Sequence, residues 1–190
     1  MSPVIAILGW GSLIWDVRPD FDRHHHLWEF DGPSLPLEFA RVSKTRAGAL
    51  TLVLDSIFGS LCTVAHARSI RSDLEAAIND LQVREGTSRN NIGYTFADGS
   101  RHHVRDQGTA STIAAWARSK SIDIVVWTDL PSNFQAVTGV SFSVPAALKH
   151  VASLSPAGKA AAAAYVWQAP QFVATPLRAE LQSPPWFDAQ

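Results

Sequence analysis

Two short stretches carry residue types suited to chemistry. The first is Gly9-Trp10-Gly11-Ser12-Leu13, which follows the apolar run Val4–Leu8. Glycines there let backbone N–H groups approach a ligand, and adjacent N–H groups can form an anion-binding nest or an oxyanion hole. A tight turn without a ligand uses the same glycines. Known glycine motifs are excluded. Position 14 is Ile where a dinucleotide fingerprint needs its third glycine, and no Gly-Lys-Ser/Thr follows. Ser12 has no glycine two residues to either side, so it is not a nucleophile elbow. The second stretch ends at Glu85. Leu74, Ile78 and Leu81 repeat at helical spacing, and the next position of that stripe is 85. A carboxylate on a core-facing stripe is costly unless hydrogen-bonded, and burial raises its pKa, which suits a general base or acid. Gly86 ends the helix and leaves the carboxylate at the rim of the core; a fraying helix would instead leave it solvated.

Other reactive residue types give weaker patterns. His24-His25-His26 are consecutive in an irregular segment and read as a solvated loop. His102 and His103 are neighbours on a strand and point to opposite faces. His66 near a strand end reads as a satisfied structural histidine. Cys62 lies in an apolar strand without an adjacent base and reads as a buried, inert thiol. No H-E-x-x-H or similar spacing occurs, so no metal is expected.

The elements that position these residues are mostly strands. Val4–Leu8, Leu35–Ser43, Ala49–Asp55, Leu61–Arg68 and Ile122–Trp127 read as strands, the last apolar on both faces and therefore central. In Leu35–Ser43, Leu37 and Phe39 fall on one side and Glu38 on the other. Tyr94–Ala97 and Ser100–Arg105 flank Asp98-Gly99, a two-residue hairpin signal. Helices are expected over Ser72–Glu85, opened by a Ser72-x-x-Glu75 capping box, and over Thr109–Ser119. Two more are expected at Val144–Leu154 and from Pro156, with alanines through Ala164, ending before Pro170, opened by Ser143 and Ser155. Pro184-Pro185-Trp186-Phe187 belongs to an irregular tail. Strands and helices do not alternate regularly, which argues an α+β class over a doubly wound α/β sheet. No repeat or linker interrupts the chain, so residues 1–190 read as one domain, helical from about 143.

Composition narrows the partners. The 190 residues carry a net charge of −1, with 17% charged residues, too balanced for a binder of nucleic-acid backbone. A single cysteine excludes an intrachain disulfide and any cysteine-based zinc or iron–sulfur site. It points to a reducing compartment, the cytoplasm. The apolar N-terminal run is too short to span a membrane and has no basic region or cleavage site.

The opening Leu8-Gly9-Trp10-Gly11-Ser12-Leu13-Ile14-Trp15 resembles the F-G-Y-G-S-L-I-W start of the γ-glutamylcyclotransferase superfamily, nearest its ChaC-type, glutathione-specific branch. Leu81-Gln82-Val83-Arg84-Glu85-Gly86, with Gly93-Tyr94 after it, resembles that family's second motif, and the separation of about 70 residues fits. The likeness covers roughly Val4–Phe96. The usual loop tyrosine is here Trp10, which keeps a ring to wall a pocket and lacks the hydroxyl. The resemblance implies a small mixed β-barrel with peripheral helices, and a pocket between the Gly9–Leu13 loop and the end of the Ser72–Glu85 helix. It implies Glu85 as the catalytic residue, with Gly9, Trp10, Gly11, Ser12, Leu13 and Tyr94 binding substrate. The implied reaction is intramolecular acyl transfer: a γ-glutamyl α-amine closes on its own γ-carbonyl, giving 5-oxoproline and a released amine. No cofactor, nucleic acid or membrane partner is implied, and the oligomeric state is left open. The rival reading is a non-catalytic module binding a small ligand or a protein on the same fold.

Overall fold

The structure is a computed structural model and describes residues 2–183; Pro184-Pro185-Trp186-Phe187 lies outside the described residues. In chain order, the first half holds β1 (Ile5–Gly9), α1 (Pro19–Asp22), β2 (Ser34–Val42), β3 (Leu50–Leu54), β4 (Ser60–Thr63), β5 (Ala65–Arg68) and α2 (Leu74–Glu85). The rest holds β6 (Ile92–Phe96), β7 (His102–His103), α3 (Gln107–Ser119), β8 (Ile124–Thr128), α4 (Phe134–Thr138), α5 (Val144–Ser153), α6 (Pro156–Gln168) and α7 (Pro176–Leu181). The class is α+β, and the chain divides into two compact units, each discontinuous in sequence.

Unit 1 comprises residues 1–35 and 63–130. Its five-stranded sheet runs β5-β1-β8-β6-β7. Strands β1 and β8 pair in parallel at its centre, with Ile7 opposite Val126; all other pairings are antiparallel. Central position explains why both strands are apolar on both faces. Helix α2 lays Leu74, Ala77, Ile78 and Leu81 against Ile5, Ile7, Ile92, Ile124 and Val126, with Leu13 in the same cluster. At about 1.5–3 kcal/mol per fully buried large aliphatic side chain, this stripe fixes α2 to the sheet. Helix α3 packs along β6 and β8 with Ala110, Ile113, Ala114 and Ala117 buried.

Unit 2 comprises residues 36–62 and 131–190. A three-stranded sheet, β3-β2-β4, contributes Leu37, Phe39, Leu50 and Val53 to its core, and the helices contribute Phe134, Val151, Val166 and Leu177. Phe39 meets Tyr165 edge-on with ring centroids 6.2 Å apart.

Several expectations change. Neither sheet closes into a barrel: β5 and β7 are the edges of one, β3 and β4 of the other. The expected strand Leu61–Arg68 is two strands in different sheets, because the chain changes units after Cys62. Asp73, not Ser72, caps α2 by accepting the Ala76 amide at 2.8 Å, the bond an N-cap side chain makes to the third helical residue. The hairpin signal holds as a β6–β7 pair, but the loop is longer than two residues: the Phe96 amide reaches the Arg101 carbonyl at 2.9 Å, and Gly99 supplies the positive φ of 76°. The side of β2 opposite Leu37 and Phe39 is covered too at Glu38. That residue is 1% exposed and accepts the Phe39 amide at 2.7 Å and the Thr175 hydroxyl at 2.9 Å. His24 and His25 are not solvated either. The His24 imidazole lies 3.3 Å from Asp80, and His25 packs between the rings of Phe21 and Trp28. Helices α1, α4 and α7, all of six residues or fewer, are too short to show a helical period.

Candidate active site

Strand β1 ends at Gly9, and the chain turns at once. The Ile14 amide returns to the Gly11 carbonyl at 3.0 Å and the Asp16 amide to the Ser12 carbonyl at 2.9 Å. Among the described residues, no backbone acceptor meets the amides of Gly11, Ser12 or Leu13. Trp10 and Leu13 are buried, at 6% and 7% exposure, and Ser12 is half-buried. Gly9 has a packing reason of its own: a Cβ there would lie 2.9 Å from two ring carbons of Trp28.

Helix α2 stays helical through Glu85, and Gly86 stops it in the left-handed conformation at φ 58°. The stripe Leu74, Ile78, Leu81 does continue to position 85, and the Glu85 side chain is 20% exposed, at the rim of the core.

The link between the two stretches is Arg84. Its side chain is 6% exposed. One guanidinium nitrogen donates to the Ser12 carbonyl at 3.0 Å and to the Asp16 carbonyl at 2.8 Å. Another lies 3.9 Å from Glu85 Oε1. One cation therefore holds the glycine loop and touches the Glu85 carboxylate. Sequence reasoning gave Arg84 no role, although a signal existed: position 84 is three residues past Leu81, so an arginine there is drawn inward and must find acceptors.

Tyr94 joins more loosely. It packs on the α2–sheet cluster that includes Leu13, stacks on His103 and lies under the Arg89 guanidinium, 5.5 Å from its ring centroid. Gly93 sits opposite Trp127 in the β6–β8 register, where a Cβ would fall 2.5 Å from the indole.

Beside this arrangement a cavity of about 320 Å³ opens between α1 and α2, lined among others by Arg18, Phe21, His24, Asp80 and Arg84. Arg18 donates to Asp16 at 3.0 Å, and that bond holds its guanidinium above its ordinary value. Asp80 is fixed by two Arg71 nitrogens at 2.7 and 3.1 Å. Two arginines, Arg18 and Arg84, and two aspartates, Asp20 and Asp80, line this concave, partly apolar site, which suits a small polar molecule carrying both charges. In unit 2, Cys62 is buried, and burial pushes its thiol up, away from reactivity.

Compared with known proteins, the chain matches no family model, no curated protein and no solved structure. Among the described residues, no helix is long and apolar enough to cross a membrane.

Proposed function

We propose that the chain is a γ-glutamylcyclotransferase-like enzyme, converting a γ-glutamyl peptide or amine to 5-oxoproline and the released amine, with Glu85 as its acid–base residue. The observation that carries this reading is the Arg84 guanidinium, which joins the Ser12 carbonyl to the neighbourhood of the Glu85 carboxylate. Two stretches separated by about 70 residues, which the resemblance assigns to one pocket, are held by a single side chain.

The chemistry follows from those groups. The substrate's α-ammonium must lose a proton before its nitrogen attacks the γ-carbonyl. The Glu85 carboxylate takes that proton and returns it to the leaving amine as the C–N bond breaks. The tetrahedral intermediate carries an oxyanion, which amides of Gly11–Leu13 stabilise. Arg18, facing the neighbouring cavity, offers the substrate's α-carboxylate a cation. Ring closure demands a folded substrate, so positioning contributes much of the rate.

The test is incubation with a panel of γ-glutamyl compounds, with 5-oxoproline detected. Wild type is expected to form it, and Glu85→Gln is expected to lower kcat by about 10²–10⁴-fold at unchanged melting temperature. Wild-type rates in Glu85→Gln would overturn the mechanism. No turnover of any compound by wild type would overturn the reaction and leave the binding-module reading.

A further inference from the structure

A second cluster of chemically capable groups lies elsewhere in unit 1, and the strand register builds it. Glu29 and His66 form an antiparallel bridge, each amide donating to the other's carbonyl at 2.8 Å. Directly opposed residues present their side chains on one face, and Asp31, two residues on past a bend at Phe30, brings its carboxylate to the same imidazole. The pairing continues as the Gly32 amide reaches the Val64 carbonyl at 2.9 Å.

The imidazole is the decisive group. The His66 side chain is 3% exposed, yet its Nδ1 has no hydrogen-bond partner. That nitrogen lies 3.4 Å from Asp31 Oδ1, and Nε2 lies 3.9 Å from Glu29 Oε1. An orphaned polar atom at such depth costs free energy unless something meets it. Trp116 fixes the surroundings: its ring meets His66 edge-on with centroids 4.9 Å apart, and its Nε1 donates to the Asp31 carbonyl at 3.0 Å. Lys120 takes the other oxygen of Asp31, leaving Oδ1 toward the histidine.

We propose that Glu29, Asp31 and His66 form a binding site for a divalent first-row transition cation of the Zn²⁺ type. One imidazole nitrogen and two carboxylate oxygens, with water completing the shell, suit such an ion. One donor atom from each residue lies within 4.8 Å of the others. Binding at roughly 2.0–2.2 Å asks the two carboxylates to close inward. Both are on exposed side chains, Asp31 held through its other oxygen by Lys120, while the buried histidine stays in place. No motif spacing signals this site in sequence, because strand pairing brings residues 29, 31 and 66 together.

The experiment is calorimetric titration of the metal-free full chain with Zn²⁺. One equivalent is expected to bind. Asp31→Asn and Glu29→Gln, both at exposed positions, are each expected to weaken binding by more than about tenfold, and His66→Gln to abolish it. Lys120→Gln, which removes a competing cation, is expected to tighten it about tenfold. Co²⁺ is expected to quench fluorescence in wild type and less in Trp116→Phe. If His66→Gln fails to fold, the carboxylate and lysine variants carry the test. Absence of binding, unchanged affinity in Asp31→Asn and Glu29→Gln, or loss only in a His24→Gln, His26→Gln variant overturns the proposal.

Discussion

Arg84 works through two carbonyl oxygens, so its removal separates positioning from chemistry. Arg84→Met keeps a long apolar stem and deletes both charge-assisted bonds to the loop. The expected cost is about 1.5–3 kcal/mol, read as a lower urea midpoint. With the loop unfixed, kcat/KM should fall about 10²-fold, and Arg84→Lys should recover only part, because an ammonium lacks the planar fork. Equal stability and activity in Arg84→Met would remove the clamp from the account. Glu38 makes a different point in unit 2. Burial pushes its carboxyl above the ordinary 4.5, outweighing the lowering by its two hydrogen bonds. The native state therefore favours the protonated form. Its stabilisation is full below about pH 4.5 and lost as pH rises through the native value. Glu38→Gln keeps an acceptor for Phe39 and Thr175 without the charge. As pH rises above about 4.5 the variant should gain stability relative to wild type, read as a growing difference in Tm. A parallel pH profile for the two proteins would refute this.

At the scale of elements, most of the fold was legible where apolar periodicity was strong. Strands β1, β3 and β8 and helices α2, α3, α5 and α6 follow the expected ranges within about three residues. What sequence could not show was the partner of each glycine and each buried polar group. Gly9 and Gly93 look like residues of a ligand loop and a motif, yet each lies under an indole from a distant part of the chain. Glu38 alternates correctly along β2, but its second face is covered by α7's capping residue Thr175. Tertiary cover of this kind leaves no local mark. The Gly9–Trp28 pair gives a direct test. Gly9→Ala must displace the Trp28 ring, which also packs against His25, at an expected cost of about 1–3 kcal/mol. In a Trp28→Leu background the same change should cost at least about 0.5 kcal/mol less, the coupling a double-mutant cycle resolves. Additive costs would mean the glycine is needed for something other than packing.

At the scale of the whole molecule, the residues proposed for catalysis and for the cation all belong to unit 1, although the chain leaves that unit after Leu35 and returns at Thr63. The departure and return points are adjacent: the Val64 amide donates to the Pro33 carbonyl at 3.0 Å. A segment whose ends are hydrogen-bonded neighbours can be replaced by a short turn at little entropic cost. Unit 1 keeps its own core, with α2 seated on the central parallel pair. Joining residues 2–35 to 63–130 through a four-residue Gly/Asn linker should therefore yield a folded protein. Its far-ultraviolet spectrum should be α+β, and its urea transition should be single and cooperative. An apolar dye should bind it no more strongly than it binds the full chain. In that protein the Arg84 contacts to Ser12 and Asp16 persist, so Arg84→Met should lower its urea midpoint as it does in the full chain. A collapsed, dye-binding product without a cooperative transition would show that unit 1 is not an independent folding unit. A cooperative fold whose midpoint ignores Arg84→Met would show that the loop clamp forms only when the whole chain is present.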